Sequence, residues 1–423
     1  MMILGMVMMM TLPIEAASNR GFTKVTLKNG LKVIYKVMKG QSQVSINAVF
    51  PIGFNSEKQK GVSHLHEHLV FRGGSEYNFE DIARVTIRGG GQFSGETGFN
   101  ATYYNFVVSK ENFGTALKVF NDSLWNTNIS DSNLALEKKI VLHELDLDYS
   151  ERYQYYPIFK YLIPEFSYNE AAKNYAAITV ADLQKFHQIY YRPENATYVL
   201  TGDFDPQPLL TALENVGRSN GKNEDIKPVP QVFEIPAQDV EETRNLYPYQ
   251  YQVMLAYKFD QIPEKDRLVL QLLGMIYGSD SKINYELNEF DFYNTFYRHV
   301  GDTDYFGIYY LERNHPLDAE LLKQRKTLML KYFREYQKID LKMQLKNLAQ
   351  MVELEEAQSQ ESAVDAAQYE VNCLVDPDFI TPDSLALFQK ITVKDLERVV
   401  DQYFKQPSGV WILVKTNQSG GSR

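Results

Sequence analysis

The sequence predicts an α+β protein made of two homologous domains in tandem, each an α/β sandwich-like arrangement of strands and long helices. Three observations carry this prediction. The chain has 423 residues, more than one hydrophobic core usually serves. A word is repeated: Ile178-Thr179-Val180-Ala181-Asp182-Leu183 recurs 213 residues later as Ile391-Thr392-Val393-Lys394-Asp395-Leu396. Each copy leads through helical spacing into an aromatic pair, Tyr190-Tyr191 or Tyr403-Phe404, and then into an apolar strand, Ala196 to Leu200 or Val410 to Val414. Such an ordered run of matches at a fixed offset is the signature of an internal duplication. Between the copies, Gly217 to Pro236 reads GRSNGKNEDIKPVPQVFEIP, where charge, Gly and Pro erase all periodicity.

Taken from the N-terminus, residues 1–17 (MMILGMVMMMTLPIEAA) hold an apolar stretch from Ile3 to Ile14 followed by small residues. This pattern predicts a secretory signal cut near Ala16 or Ala17, hence a periplasmic or secreted protein. No Lys or Arg precedes the apolar stretch, so an upstream start, an ordinary apolar N-terminus and a cytoplasmic location stay open. Residues 18–216 form the first predicted domain, 217–236 the linker and 237–423 the second domain. Within the first, Val25 to Leu27 and Leu31 to Tyr35 flank Asn29-Gly30, a tight hairpin signal. Ser45 to Phe50 reads as another strand, while Asn112 to Leu124 and Leu134 to Asp148 carry apolar residues at helical spacing.

Composition narrows the function classes. With 44% hydrophobic and 23% charged residues the chain is globular in type. A net charge of -10 and pI near 5.4 argue against nucleic acid or an anionic membrane surface as partner. No window approaches the roughly 20 continuous apolar residues of a spanning helix, so no membrane span is expected in the mature chain. Cys373 is the only cysteine, which excludes an internal disulfide and reads as a small buried hydrophobe.

The chemistry concentrates in His64-Leu65-His66-Glu67-His68. Residues four apart on a helix lie on one face, so His64 and His68 can reach one ion, with Glu67 beside them to act on a water. The order is H-x-x-E-H; the reverse H-E-x-x-H would need a histidine where Val70 stands. His66 points off that face and is assigned to packing or to a supporting role behind the ligands. A catalytic zinc takes three protein ligands, and Glu144, 76 residues after His68, is the predicted third. Glu137, two turns earlier on the same helical face, is placed to orient a ligand histidine. His143 lies about 100° around that helix from Glu144 and is not expected to coordinate. Ligand chemistry favours zinc, one ion per chain, with manganese or cobalt as alternatives.

His64-x-x-Glu67-His68 followed by Glu144, with Glu137 seven before it, resembles the pitrilysin family of inverted-motif zinc peptidases, which includes insulysin and the mitochondrial processing peptidase. Gly61-Val62-Ser63, Phe71-Arg72-Gly73, Gly90-Gly91 with Thr97, Thr102 and Tyr104, and Thr201-Gly202-Asp203 match its other words. The short bacterial and processing-peptidase-like members are the nearest in pattern. The resemblance implies the processing-peptidase/LuxS-like metallohydrolase fold and a zinc metalloendopeptidase acting on short or unfolded peptides. It implies that Glu67 activates a zinc-bound water and that the peptide adds as a strand to a sheet edge in a chamber closed by two such chains or one doubled chain. Two departures stand out. Ser94-Gly95 occupies the place of the family's substrate-contacting Asn-Ala pair, which makes Ser94 and Gly95 the candidate substrate contacts. The family's Arg and Tyr of the second domain align with Asn288 and Thr295, with Tyr293 and Tyr297 nearby. The resemblance therefore implies a homologous partner subunit that supplies the Arg/Tyr pair in a heterodimer, with a homodimer, a weakly active subunit and a noncatalytic structural or peptide-capturing subunit as the alternatives.

Overall fold

The structure is a computed structural model, and the residues it describes are 14–15, 20–54, 56–147, 168–217, 235–244, 250–278, 292–300, 303–313, 315–334, 339–376, 378–404 and 409–416. Of the candidate signal segment only Ile14 and Glu15 fall among them; most of the linker, Asn288 and the side chain of Tyr293 lie outside. Packing divides the chain into two units, residues 1–139, 174–229 and 355–376 in one, and 140–173, 230–354 and 377–423 in the other.

Among the described residues the first unit holds a seven-stranded sheet: β1 (Ile14–Glu15), β2 (Thr23–Thr26), β3 (Lys32–Val37), β4 (Gln43–Phe50), β5 (Gln92–Thr97), β6 (Thr102–Ser109) and β7 (Thr197–Gly202), in the order β1-β2-β3-β7-β4-β6-β5. β2 and β3 form the hairpin that Asn29-Gly30 announces, with Gly30 at φ 87°, a left-handed conformation that glycine adopts without strain. β4 is buried along nearly its whole length, as its central place between β7 and β6 requires. Helices α1 (Val62–Val70), α2 (Phe79–Val85), α3 (Phe113–Trp125), α4 (Asp131–Leu147), α5 (Tyr168–Ala177), α6 (Val180–Tyr190) and α7 (Pro206–Leu213) follow in chain order. The division between units falls inside α4 and α5, each a single unbroken helix, and both are described with the first unit.

Among its described residues the second unit repeats the plan: β8 (Val240–Arg244), β9 (Tyr251–Asp260), β10 (Phe292–Val300), β11 (Thr303–Glu312) and β12 (Val410–Thr416) form a sheet in the order β10-β11-β9-β12-β8. Read from β8, this is the order of β3-β7-β4-β6-β5, down to the parallel β12–β8 and β3–β7 pairs. Its helices are α8 (Glu264–Tyr277), α9 (Ala319–Arg334), α10 (Leu341–Gln358), α12 (Pro382–Phe388) and α13 (Val393–Tyr403). The repeated word explains itself here. Thr179 and Thr392 are the N-caps of α6 and α13, each closing a capping box with the Asp three residues on, Asp182 and Asp395. Ile178 and Leu183, like Ile391 and Leu396, are buried at the two positions of a hydrophobic staple.

One helix leaves the order of the sequence. α11 (Ala363–Val375), although it follows α10, belongs to the first unit and packs on β4 and β7. Its Ala366, Ala367 and Val371 join Phe22, Ile34, Val49 and Val199 in one buried cluster, the two alanines allowing a close approach to the sheet. Thr201 Oγ1 donates to Ala363 O, and Lys24 Nζ lies 3.1 Å from the buried Glu370 carboxylate. Among the described residues no helix is long and apolar enough to cross a membrane.

Candidate metal centre

α1 follows β4 and packs against β5 and β6. It starts at Gly61, φ 85°, where a side chain would collide with the Tyr175 ring, 2.6 Å from the position of a Cβ. The amides at its start are held by the buried Glu57 carboxylate, which accepts from Gly61 N at 2.6 Å and Ser63 N at 2.9 Å. A carboxylate there also suits the positive end of the helix dipole. Leu65, Leu69 and Val70 point into the core, which turns the other face of α1 toward α4 and α5.

On that face the two imidazoles converge. His64 Nε2 and His68 Nε2 lie 3.2 Å apart, while His64 Nδ1 is 2.9 Å from Tyr175 Oη and His68 Nδ1 is 2.8 Å from Glu137 Oε2. Both rings are thus held through Nδ1, and both present Nε2 to one point. Glu137, with a side chain 2% exposed, is itself held by Arg72 Nε. Two turns further along α4 comes Glu144. His64, His68 and Glu144 each offer a ligand atom within 4.8 Å of the others, and this is the one group of three or more His, Cys, Asp or Glu able to hold an ion that is found among the described residues. His143 is exposed.

Glu67 is 7% exposed and accepts from Thr97 Oγ1 at 2.8 Å through Oε2. Thr97 lies on β5, the outermost strand on its side of the sheet, with Phe93, Gly95 and Thr97 turned inward and Gln92, Ser94 and Glu96 outward. Gly95 therefore faces the motif: a Cβ there would sit 2.7 Å from Glu67 Oε1 and 2.8 Å from Phe71 Cε2. Ser94 projects to the opposite face. Behind α1, Tyr104 Oη and Tyr191 Oη are 2.6 Å apart, and burial pushes both phenols well above their ordinary range.

His66, fully buried, turns away from the ligand face and meets His187 of α6 instead. Burial, with the neighbouring His187 second, pushes the His66 imidazole well below its usual range. In the second unit, Thr295 Oγ1 donates to Gly274 O at 2.6 Å and the buried Tyr297 donates to Asp304 at 2.6 Å.

Sequence reasoning did not find Tyr175, which is 111 residues beyond His64 on a helix with no spacing signal to it. Nor did it find the acceptor role of Glu57 or the grip of Thr97 on Glu67. Arg72 was visible as a family word, and its place one turn after His68 is the signal that it reaches Glu137.

The fold has relatives among known proteins. Residues 32–162 match the family model described as insulinase (peptidase family M16), and residues 177–353 match the one described as peptidase M16 inactive domain. The zinc protease PqqE of Helicobacter pylori is 24% identical over 418 residues, covering 92% of each chain. A solved protease structure from Helicobacter pylori superposes with a TM-score of 0.75 at 22% identity, covering 93% of this chain and 99% of that one. Pitrilysin superposes with a TM-score of 0.68 at 15% identity, over 96% of this chain and 46% of its own. The duplicated fold, the inverted motif on α1 and the two matched domains have one reading: this chain belongs to the insulinase family of peptidases, family M16.

Proposed function

We propose that the chain is a zinc-dependent endopeptidase subunit with His64, His68 and Glu144 as ligands and Glu67 as general base. The observation that carries this reading is the 3.2 Å separation of the two Nε2 atoms. Two nitrogens at ~2.0–2.1 Å from a tetrahedral zinc stand about 3.3 Å apart, and the 4.8 Å grouping with Glu144 adds the third donor from a second helix. The donor set, two neutral imidazoles and one carboxylate, fits zinc. Bound zinc polarises the scissile carbonyl and lowers the pKa of a water from about 15.7 toward about 7. The rest is done by the chain. Tyr175 and Glu137 fix the two imidazole rings, and Thr97 aims the Glu67 carboxylate. Glu67 takes the water's proton as it attacks the carbonyl carbon and delivers it to the departing amine nitrogen. The peptide lies along the β5 edge, bound by main-chain hydrogen bonds tolerant of sequence, with Ser94 and Gly95 at its side.

The same proposal includes a homologous partner bearing the Arg/Tyr pair, because Thr295 and Tyr297 spend their hydroxyls inside the second unit and transition-state charge would otherwise lack those donors. Export to the periplasm fits the apolar N-terminal segment. A noncatalytic peptide-binding subunit is the second reading, favoured by the same commitment of Thr295. Cleavage of an unstructured quenched peptide, with and without a homologous chain carrying Arg and Tyr, separates them. Glu67→Gln should keep zinc and lose turnover by about 10²-fold or more; wild-type cleavage by that variant removes Glu67 from the mechanism, and no cleavage by wild type under either condition favours the second reading.

A further inference from the structure

His66 stands two residues from each ligand histidine, yet its ring faces the opposite side of α1. His66 Nε2 is 3.0 Å from His187 Nδ1, and His187 Nε2 is 3.3 Å from Trp125 O, the backbone carbonyl at the end of α3. The direction of this chain is fixed by chemistry. A carbonyl only accepts, so His187 Nε2 carries a proton. The neutral His187 ring then has a bare Nδ1, and the proton between the two rings belongs to His66 Nε2. This leaves His66 Nδ1 bare, and it is one of the buried side-chain atoms with no hydrogen-bond partner among the described residues. The opposite polarity would set the lone pair of His187 Nε2 against that of Trp125 O. Tyr191 packs against both rings, tilted on His66 at a centroid distance of 4.0 Å and stacked on His187 at 5.4 Å.

An apolar pair would fill this space without direction, whereas a buried polar pair is stable only in the one geometry that satisfies it. The controlled coordinate is the roll of α1. A ring nitrogen about 6 Å from the helix axis moves by the ~0.2 Å tolerance of a metal–ligand distance when the helix turns by only about 2°. We propose that His66 and His187 are positioning residues of the metal centre: their directed hydrogen bond, ending on Trp125 O, ties α1 to α6 and α3 and sets the roll at which His64 and His68 converge. The inference rests on His64 and His68 being metal ligands.

The test uses the full chain and three variants: His66→Leu, which removes the donor; His66→Gln, whose side-chain amide can donate from the place of Nε2; and the double variant His66→Leu/His187→Leu. Zinc affinity is read by chelator competition, and stability of the metal-free protein by urea unfolding. His66→Leu should weaken zinc binding about tenfold or more, and His66→Gln should restore it to within about threefold of wild type. The double variant removes the bare His187 Nδ1 that His66→Leu strands and leaves only Trp125 O without its donor, so it should regain part of the stability while zinc stays weak. Recovery of zinc affinity together with stability in the double variant would make the pair purely structural and overturn the proposal, as would wild-type affinity in His66→Leu. Nitrogen-15 spectra of the histidine-labelled wild type should show both rings protonated at Nε2; protonation of either at Nδ1 also overturns it, whether or not the variants fold. A wild type that binds no zinc would instead sink the metal reading itself.

Discussion

Gly95→Ala tests how the base is held. A methyl group at 95 would lie 2.7 Å from Glu67 Oε1, 2.8 Å from Phe71 Cε2 and 3.0 Å from Phe71 Cζ, while carbon atoms in contact settle at about 3.5 Å. The overlap with the ring is therefore about 0.7 Å. Phe71 cannot yield easily, since it packs on Phe93 and Tyr104 at centroid distances of 5.1 and 5.9 Å. The end of Glu67 can, and it moves away from Thr97, its partner at 2.8 Å. Gly95 is not among the residues with positive φ, so alanine brings crowding without backbone strain. Overpacking of this kind costs about 1–3 kcal/mol of stability, and a general base displaced by about 1 Å costs roughly 10² in kcat. Zinc affinity should stay, because the bonds that fix His64 and His68 come from Tyr175 and Glu137. The assay pairs kcat on a quenched peptide, in the presence of any required partner chain, with zinc titration. Wild-type turnover in Gly95→Ala, with zinc bound, would refute the argument that β5 positions Glu67; loss of zinc and turnover together would refute its restriction to the base.

Two other perturbations address neighbouring parts of the molecule. Glu137→Gln keeps the shape but removes the charge that Arg72 pairs with and weakens the acceptor for His68 Nδ1; zinc affinity should fall about 10- to 100-fold, and an unchanged affinity would confine Glu137 to its pairing with Arg72. Burial works to raise the Asp395 carboxyl, but Lys265 at 2.7 Å and the bonds from Thr392 outweigh it and hold the group at about 2, below the ~3.9 of an unfolded carboxyl. Its contribution is present above pH ~4 and is lost as pH falls toward 2, so Asp395→Asn should be less stable than wild type in urea at pH 7 and lose that deficit near pH 2. A deficit that persists at pH 2 would mean that the charge is not what stabilises α13.

The parts of the fold that could be read ahead are those written in local chemistry. A capping box, a staple and an Asn-Gly turn each need only a few consecutive residues, so Thr179 with Asp182 and Thr392 with Asp395 announced the duplication before any strand was paired. Part of the proposed site is local in the same way, since helical periodicity brings His64 over His68 and Glu137 into line with Glu144, while the meeting of the two helices is not written in either. What could not be read depends on which surface an element buries. The small residues of α11 show that it has a face to bury, yet not that the face is covered by β4 and β7. Gly95 enters the sequence reading as a candidate substrate contact, whereas in three dimensions its missing side chain is the room that Glu67 and Phe71 occupy.

The second unit supplies an internal control on why the first is built as it is. α8 follows β9 as α1 follows β4, and packs on β10 and β11 as α1 packs on β5 and β6. From Val269 to Tyr277 every buried residue of α8 is Val, Leu, Ile or Tyr, while about one turn earlier Asp266 is buried and bonded to Arg398 and Tyr403. In α1 the corresponding surface buries Ser63, His66 and Glu67, with Glu57 and Glu137 buried around it. Each of these groups carries a desolvation cost of a few kcal/mol unless it is bonded, and each of Glu57, His66, Glu67 and Glu137 is bonded to the motif helix or through it. Along their lengths the two helices differ: α8 buries one acidic side chain, Asp266, near its start, whereas α1 buries His66 and Glu67 in its middle. The contrast sets α1 apart as the helix whose middle is polar, which fits the role proposed for it.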